Sequence, residues 1–419
     1  MELTDHQQIK LNEALNVLAY EDALVINGSA GVGKTFMVNQ LIKSILLEKK
    51  RAKIVVAAPT NMALEVIENK IDQDVTFNTV HQALMMKQFT DNASGQQYFK
   101  PSYKKNFPLW GVDYLIIDEA SMVGKDLFSH IKKFTVLRKT KVVYLGDDKQ
   151  LKPVKEKTSP VFHDGITTVT LTEIVRQKEG NSLIDLSLNL GGINNYVNSF
   201  NEDLEGYLYT HNEDKIIHEL ALCNGSREYR YLAWTNEKVR EINRKVRTKI
   251  YGSPNRVEVG ETLIFNSPFL NKTKTSQEVV VTSLNVVDRL YSYSLNNRNM
   301  PKSITIKCYI VKTKQGINFP VVHEDSLNEY NNLVLKLKES AIQKKINWAK
   351  DYYGFINQFA DILYAHAITV HKAQGSTFNN VIISLKDIQS NFEKEDRDSL
   401  LYTSLTRASK LAIIDTQTR

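Results

Sequence analysis

The stretch "GSAGVGKT", residues 28–35, decides the fold expected for the whole chain. It fits the pattern G-x-x-x-x-G-K-[ST], in which glycines let backbone N–H groups turn inward around a phosphate. An apolar run, "ALVI" (23–26), precedes it, and a helical pattern follows to about residue 47. This order of strand, loop and helix predicts an α/β nucleotide-binding core rather than a plain glycine-rich connector. Lys34 is expected to reach the β- and γ-phosphates, and Thr35 to place its hydroxyl on Mg²⁺.

A second motif, "YLIIDEAS" (114–121), ends another apolar run on two carboxylates. Asp118 is a candidate Mg²⁺ ligand, since this cation prefers oxygen ligands. Glu119 is placed to orient or deprotonate an attacking water, which favours hydrolysis over transfer to a substrate. Acids at a strand end are often only solvated loop residues, but behind a phosphate-binding loop the catalytic interpretation is favoured.

A third apolar run ends in "LGDDKQLKPV" (145–154). If this run is a parallel strand beside the other two, its end lies on the carboxyl edge of the sheet, where ligands bind in such folds. Gln150 could then contact the γ-phosphate, or the water that attacks it. We therefore expect Gln150 to act as a sensor of the nucleotide.

The composition is that of a soluble globular protein, with 42% hydrophobic and 24% charged residues over 419 positions. The net charge of +7 suits a polyanionic partner but does not require one. Cys223 and Cys308 are the two cysteines, and their separation suggests neither a disulfide framework nor a zinc site. With no signal-peptide core and no apolar run long enough to span a membrane, we expect a cytoplasmic protein, in the host cytoplasm if it is viral.

The pattern of short apolar strands alternating with helices occurs twice along the chain. Runs at 53–58, 113–118 and 141–146 form one group, and runs at 227–234, 379–385 and 410–415 form another, which predicts two α/β units. Two segments differ. Residues 86–111 hold two short β-like arms around the polar turn "DNASG", and residues 261–325 alternate like a small β-barrel before a helical pattern at 326–350.

The motifs also carry a resemblance to a known family. Their order resembles that of superfamily 1 DNA helicases, above all the RecD-like, 5′-to-3′ branch and its compact Dda-type phage members: "GSAGVGKT", "AAPTNMA", "TVHQAL", "IIDEASM", "LGDDKQLKPV", "LTEIVRQ", "AITVHKAQGSTF" and "LLYTSLTRAS". The resemblance implies two RecA-like P-loop NTPase domains with a small β-hairpin insert and a small SH3-like β-barrel insert. The first RecA-like domain, 1A, would comprise residues 1–85 and 112–174, and the hairpin insert, 1B, would comprise residues 86–111. The second RecA-like domain, 2A, would comprise residues 175–260 and 346–419. The β-barrel insert with its helix, 2B, would comprise residues 261–345.

The resemblance implies hydrolysis of Mg-ATP in the cleft between the two domains. Arg176 and Arg407 would reach the nucleotide as arginine fingers, beside the catalytic Lys34, Glu119 and Gln150. The implied ATP-binding residues are Gln7, Gly28, Ser29, Ala30, Gly31, Val32, Gly33, Lys34, Thr35 and Gly375. Gln7 in "LTDHQ" would read the adenine, although Thr4 and Gln7 also form the pattern of a helix capping box. Either arginine could instead form a surface ion pair.

The implied DNA contacts are small polar and basic residues at strand ends, which suit phosphates and carry no sequence preference. They are Thr60, Asn61, His81, Asn236, Thr369, His371 and Lys372. Either histidine could instead be a packed core residue. In the hairpin insert, Phe99 is the candidate wedge that stacks on the terminal base pair of a fork, with Tyr98 as the alternative. Phe99 could equally anchor the hairpin to its own domain.

The predicted function is an ATP-dependent helicase that moves 5′ to 3′ on single-stranded DNA and unwinds duplex, in replication or recombination. The alternatives are a translocase that displaces proteins and unwinds little, or a single-strand-binding protein that ATP only switches. Expected partners are single-stranded DNA and forks, with a single-strand-binding protein as a further candidate and no membrane. We expect a monomer, because one chain already supplies both halves of the ATP site.

Overall fold

The computed structural model describes residues 3–102, 109–153, 156–173, 182–270, 272–298 and 300–417. The strands of these residues are β1 Ala23–Gly28, β2 Ile54–Ala58, β3 Thr76–Thr79, β4 Met86–Thr90, β5 Gln97–Pro101, β6 Tyr114–Ile117, β7 Lys141–Gly146, β8 Thr168–Leu171, β9 Ser199–Phe200, β10 Gly206–Thr210, β11 Tyr229–Ala233, β12 Thr262–Phe265, β13 Glu278–Tyr293, β14 Lys302–Thr313, β15 Asn318–Val322, β16 Ile362–Tyr364, β17 Ala367–Thr369, β18 Phe378–Ser384 and β19 Ala408–Asp415.

The helices are α1 Asp5–Tyr20, α2 Lys34–Glu48, α3 Asn61–Glu68, α4 Val80–Ala83, α5 Lys125–Arg138, α6 Ser182–Leu188, α7 Glu213–Cys223, α8 Asn236–Tyr251, α9 Glu324–Ile342, α10 Gly354–Ile356, α11 Val370–Ala373, α12 Leu385–Gln389 and α13 Lys394–Leu405. Short 3₁₀ turns occur at Ala120–Met122, Pro160–Phe162 and Leu190–Asn194, and a π-helical turn at Trp348–Tyr353. In this part of the chain, no helix is both long and apolar enough to cross a membrane.

The first α/β unit is built on a parallel sheet with the strand order β3-β2-β6-β7-β1-β8. Both faces are covered, because successive side chains of a strand point to opposite sides. Leu24 and Ile26 of β1 pack into the cluster that includes α1, α2 and α3, while Val25 packs towards α5. The parallel α/β sheet predicted around the phosphate-binding loop is confirmed. The carboxyl ends of β1, β6 and β7 lie side by side.

The second α/β unit has the strand order β17-β11-β18-β19-β10-β9. The first five strands run parallel, and β9 pairs antiparallel with β10 at the edge. Buried apolar side chains cover both of its faces, as for the first sheet. The predicted second α/β unit is therefore present. Its β18 is buried at six of seven positions, and four of these buried positions carry apolar side chains, Phe378 among them.

Two smaller sheets extend from these units. β4 and β5 pair as a hairpin, with Gln88 opposite Phe99 and Phe89 opposite Tyr98. The other is a five-stranded antiparallel sheet in the order β15-β14-β13-β12-β16, against which α9 packs. The helix predicted over 326–350 is shorter, because the chain leaves the helix after Ile342 and Lys344 takes a left-handed backbone conformation.

The tip of the β4-β5 hairpin rests on the π-helical turn that follows α9. Tyr353 Oη donates a hydrogen bond to Gly95 O at 3.0 Å, and Asn347 Nδ2 donates to Asn92 Oδ1 at 3.1 Å. A Cβ atom at Gly95 would lie 2.6 Å from the ring of Trp348, and the φ of Gly95 is +73°. Both the close approach and the left-handed backbone require glycine here. The tip of the hairpin is thus held against the turn by hydrogen bonds and close packing.

Candidate active site and DNA interface

A cavity of about 360 Å³ lies in the cleft between the two α/β units. The first unit lines it with residues of α1, of the phosphate-binding loop and of the ends of β6 and β7. The second unit contributes Gly375, Thr377, Thr406 and Arg407. The cleft therefore brings together most of the residues that the sequence assigned to ATP. They are Gln7, Ser29, Ala30, Gly31, Gly33, Lys34, Thr35, Asp118, Glu119, Gln150, Gly375 and Arg407.

The phosphate-binding loop needs its glycines for two physical reasons. Gly31 and Gly33 have left-handed φ values of 89° and 79°, which other L-residues adopt only with strain. A Cβ atom at Gly28 would lie 2.8 Å from Val32 and 2.9 Å from Leu171 O, so a side chain has no room there. The loop ends directly in α2, whose N-terminal N–H groups face the cleft.

Lys34 Nζ donates to the loop's own carbonyl groups, Gly28 O at 2.6 Å and Ser29 O at 3.1 Å. These acceptors are neutral, so the ammonium group is placed at the cavity without a carboxylate partner in either of these contacts. An anionic phosphate would be a stronger acceptor than a peptide carbonyl. The geometry suits the predicted contact of Lys34 with the β- and γ-phosphates.

The two carboxylates predicted for catalysis meet at the end of β6. Glu119 has a left-handed φ of 50°, a conformation that costs about 1–3 kcal/mol in a residue with a side chain and is concentrated at functional sites. Its N–H donates to Asp118 Oδ1 at 2.9 Å. Burial and the neighbouring Glu119 raise the pKa of Asp118 to about 6.

The oxygens of Asp118 and Thr35 fit a magnesium ion. A buried carboxylate whose pKa is raised by desolvation gains from a nearby cation, and Mg²⁺ is typically held by one or two protein oxygens together with phosphate oxygens and water. Both residues line the same cavity. Their role as magnesium ligands stays a prediction.

Gln150 is buried in the loop that follows β7, and its role as a sensor stays a prediction. Its Nε2 lies 3.4 Å from Asp147 Oδ2, and its Oε1 has no hydrogen-bond partner among the described residues. A buried unsatisfied amide oxygen is costly unless a ligand or water supplies a donor. Gln150 lines the cavity, so a water that attacks a bound nucleotide is a candidate for that donor.

Arg407 is buried at the far side of the cleft. Its guanidinium donates to Thr403 O and Ser376 O, both at 3.2 Å, and to Thr406 Oγ1 at 3.3 Å. All three acceptors are neutral, so the surface ion pair considered from the sequence does not describe this residue. Arg407 lines the cavity from the second unit, and its hydrogen-bond acceptors among the described residues carry no charge. The other predicted arginine finger, Arg176, lies outside the described residues.

Gln7 was considered both as a member of a helix capping box and as the residue that reads the adenine. The capping box of α1 is present, since Gln7 N–H donates to Thr4 Oγ1 and Gln7 Oε1 accepts from Thr4 N–H. Its Nε2 donates to Val32 O of the phosphate-binding loop at 3.1 Å. Gln7 also lines the cavity, so contact with an adenine remains a prediction that requires its amide to exchange one of these partners.

Gly375 connects the cleft with the first unit. Its φ is +73°, and a Cβ atom there would lie 2.7 Å from Ala63 Cβ in α3. Beside it, Gln374 Nε2 donates to Leu151 O at 3.4 Å. The second unit therefore touches the first directly behind the loop that carries Thr60 and Asn61.

The candidate DNA contacts share one local design. Thr60, Thr79, Thr235 and Thr369 each stand at or just after the end of a parallel strand and cap the next helix through a side-chain oxygen. The capped helix N-termini present backbone N–H groups, which suit phosphate. The predicted contacts lie on these loops at accessible or partly accessible positions: Thr60, Asn61, His81, Asn236, Thr369, His371 and Lys372. The next buried apolar neighbours, such as Met62 and Val370, pack inward.

Two of the candidate contacts are already tied to the inserts. The His81 and Phe99 ring centroids lie 4.6 Å apart, and burial lowers the pKa of His81, which keeps it neutral. Phe99 is 45% exposed, so one side of its ring packs on the first unit while the other faces solvent. Lys372 Nζ donates to Asn266 Oδ1 at 2.6 Å, which joins the second unit to the five-stranded sheet.

Comparisons with known proteins agree with this arrangement. The chain matches the family described as AAA domain over residues 3–198 and the UvrD-like helicase C-terminal domain over residues 364–414. It is 25% identical to the ATP-dependent DNA helicase dda of Enterobacteria phage T4, covering 97% of both chains. It is 26% identical to the RecBCD enzyme subunit RecD of Buchnera aphidicola, covering 92% of this chain and 69% of that protein.

These matches and relatives support a superfamily 1 DNA helicase of the group that contains RecD-like and Pif1-type proteins. The fold of the chain is similar to that of the Pif1 helicase from Bacteroides solved with ADP-AlF3 and single-stranded DNA. The TM-score is 0.53 at 20% identity, over 100% of this chain and 94% of that one.

Sequence reasoning missed several residues that join the parts of the protein around the site. Tyr402 and Thr403 reach from α13 across the cleft, and Asp147 receives one of their contacts. Asn266 holds Lys372. Tyr402 and Thr403 stand between apolar residues in the string "LLYTSLTRAS", and this was the local signal that they are buried in a contact rather than exposed to solvent. Nothing in the local pattern around Asn266 could have identified it.

Proposed function

We propose that the chain is an ATP-dependent DNA helicase that moves 5′ to 3′ on single-stranded DNA and unwinds duplex ahead of it. The observation that carries the proposal is the composite cleft, in which Lys34, Glu119 and Gln150 of the first unit face Arg407 of the second. Neither unit holds a full set of phosphate-contacting cations by itself. Because hydrolysis needs both halves, the reaction is coupled to closure of the units on each other.

In this proposal each side chain of the cleft has a distinct task. Lys34 and the loop N–H groups hold the phosphates, and Arg407 stabilises the charge that spreads over the transferred phosphoryl group. Glu119 accepts the proton of the attacking water, and Gln150 orients that water molecule. Mg²⁺, held by Asp118 and Thr35, would neutralise charge on the phosphate oxygens.

Polarity is the part of the proposal that the site residues do not encode. It is tested by unwinding of duplexes that carry either a 5′ or a 3′ single-stranded tail, with ATP and Mg²⁺. We expect strand separation only from the 5′ tail. A 3′ preference would leave the ATPase scheme intact but contradict the direction and the role given to the hairpin. ATP-driven displacement of a bound protein without strand separation would favour the translocase alternative.

The DNA contacts are proposed to be phosphate contacts, so they are tested through salt. The logarithm of the binding constant for single-stranded DNA should fall linearly with the logarithm of the salt concentration, because each neutralised phosphate releases counterions. Replacing Lys372 by alanine should reduce the magnitude of that slope by about 1, with no dependence on base sequence. Lys410→Ala is the matched control, since Lys410 is an exposed lysine of the same unit on β19. Equal slopes for the wild type and Lys372→Ala would remove this lysine from the interface.

Phe99 is proposed as the wedge that separates the strands at the fork. Phe99→Ala should lower unwinding by about fivefold or more, since stacking of a base on an aromatic ring is worth about 1–3 kcal/mol. ATPase stimulated by single-stranded DNA should stay within about twofold. Phe89→Ala is the control on the same hairpin, because Phe89 is similarly exposed and stacks with Tyr98. Parallel loss of both activities in Phe99→Ala would show that its packing on His81 is only an anchor.

A further inference from the structure

The two α/β units are joined across the ATP cleft by a buried hydroxyl group that none of the roles above uses. Tyr402 lies on α13 of the second unit and is 2% exposed. Its Oη donates to Asp147 Oδ2 at 2.6 Å and accepts from Ala30 N–H at 3.0 Å. Asp147 follows β7, and Ala30 is part of the phosphate-binding loop. One phenol thus contacts two separate loops of the first unit.

The direction of these hydrogen bonds is set by chemistry. A carboxylate can only accept, so the phenol must donate to Asp147, which leaves its lone pairs for the Ala30 N–H. Burial and the adjacent Asp147 carboxylate raise the pKa of Tyr402, so the phenol keeps its proton. The donor and acceptor positions of this hydroxyl are therefore both occupied, and its two partners are linked through one oxygen atom.

Asp147 connects this hydroxyl to the candidate sensor. Besides Tyr402, its Oδ2 lies 3.4 Å from Gln150 Nε2, and its Oδ1 accepts from Lys149 N–H at 3.2 Å. Asp147 is 1% exposed, so each donor matters to a carboxylate that water does not reach. If Gln150 turns its amide towards a phosphate or a water, Asp147 loses a donor and depends more on Tyr402. The orientation of the Gln150 amide and the hydrogen bond from Tyr402 to Asp147 are thus linked.

We propose that Tyr402 is a positioning residue that couples the state of the nucleotide site to closure of the second unit. It does so by joining the Ala30 backbone of the phosphate-binding loop to Asp147 and, through Asp147, to Gln150. The inference rests on the proposed ATP-driven function and assigns a residue beyond the arginine and glutamine already placed there. Loss of the hydroxyl would leave Ala30 N–H and Asp147 Oδ2 without this partner when the cleft closes.

The adjacent residue supplies a matched control. Thr403 Oγ1 accepts from Leu151 N–H at 3.2 Å, and both residues are buried in the same contact between the units. Thr403→Val removes one hydrogen bond between the units while keeping the shape of the side chain, but it does not touch the phosphate-binding loop or Asp147. Tyr402→Phe likewise removes one hydroxyl and keeps the ring.

The experiment measures ATP hydrolysis with saturating single-stranded DNA for the full chain. For Tyr402→Phe we expect kcat to fall by about tenfold, because the groups that lose their partner, Ala30 N–H and the Asp147 carboxylate, belong to the phosphate-binding loop and to the linkage with Gln150. KM for ATP should stay within about twofold. Thr403→Val should keep kcat within about twofold. The double variant Tyr402→Phe/Gln150→Ala should be no slower than Gln150→Ala, because both changes break the same linkage.

Three results would overturn the inference. Equal losses of kcat in Tyr402→Phe and Thr403→Val would mean that only adhesion between the units matters. Additive losses in the double variant would mean that Tyr402 does not act through Gln150. A fully active Tyr402→Phe variant would exclude any role for the hydroxyl. The hydrolysis rate of the wild type, measured with and without single-stranded DNA, tests the proposed function separately. If DNA does not stimulate the wild-type ATPase, the proposed function is wrong and this inference fails with it. If DNA does stimulate it, the three results above concern Tyr402 alone.

Discussion

Replacement of Lys34 by alanine is expected to lower ATP hydrolysis by at least about 10²-fold, the scale on which removal of a single preorganised donor acts in a transition state. The reason is the position of the ammonium group, which contacts only Gly28 O and Ser29 O in the described contacts and faces the phosphate-binding cavity. Steady-state hydrolysis with and without single-stranded DNA measures the effect. Binding of single-stranded DNA in the absence of nucleotide should persist, because the candidate DNA contacts lie on other loops.

Lys43→Ala provides the matched control for this variant. Lys43 is an exposed lysine on the same helix, α2, and lies outside the cavity lining. Its removal changes the net charge by the same amount without touching the site. Unchanged ATPase in Lys34→Ala would contradict the whole scheme, including the assignment of the cleft. Parallel loss of ATPase and DNA binding would instead indicate that the variant is misfolded, which thermal unfolding of both variants would reveal.

Replacement of Glu119 by glutamine should reduce kcat by about 10²–10⁴-fold, the usual contribution of a general base. Glutamine keeps the shape and the hydrogen-bonding capacity of the side chain but cannot accept a proton from water. ATP binding should be retained, because Lys34 and the loop N–H groups are unchanged. The variant should therefore accumulate with ATP bound, which single-turnover hydrolysis and equilibrium nucleotide binding together can establish.

This variant also separates a motor from a nucleotide-controlled binder. A protein that uses ATP only as a switch has no need of a water-activating carboxylate. If Glu119→Gln hydrolyses ATP at the wild-type rate, the role given to this carboxylate is wrong and the switch alternative regains support. Glu68→Gln serves as the control, since Glu68 is an exposed carboxylate in the same unit, at the end of α3.

Local sequence patterns were sufficient for the core of the first unit. β1, β2, β6 and β7 follow the predicted apolar runs within about two residues, because each is short, buried and bounded by polar loops. The cleft then followed from a topological rule, since the ends of parallel strands share one edge. Asp118 directly follows β6 and Gln150 lies four residues after β7, so this rule places both at the cleft.

Features that depend on distant partners could not be predicted in the same way. Tyr402 meets residues 255 and 372 positions away along the chain, so no local window contains both ends of those hydrogen bonds. The end of α9 at Ile342 depends on a left-handed turn at Lys344, a residue type that gives no turn signal. The packing of Phe99 on His81 likewise required the hairpin to fold back on its own unit.

Docking of the hairpin tip on the π-helical turn has a topological consequence. The first unit, the hairpin, the turn at 348–353, the second unit and the contacts across the cleft form a closed ring of neighbours. A single DNA strand that runs inside that ring is enclosed by it. Such a strand can enter in two ways, by threading a free end or by passing through a transient gap where the contact at Gly95 opens. Circular single-stranded DNA has no end to thread. Its rate of capture, relative to a linear strand of equal length, therefore measures how often this gap opens.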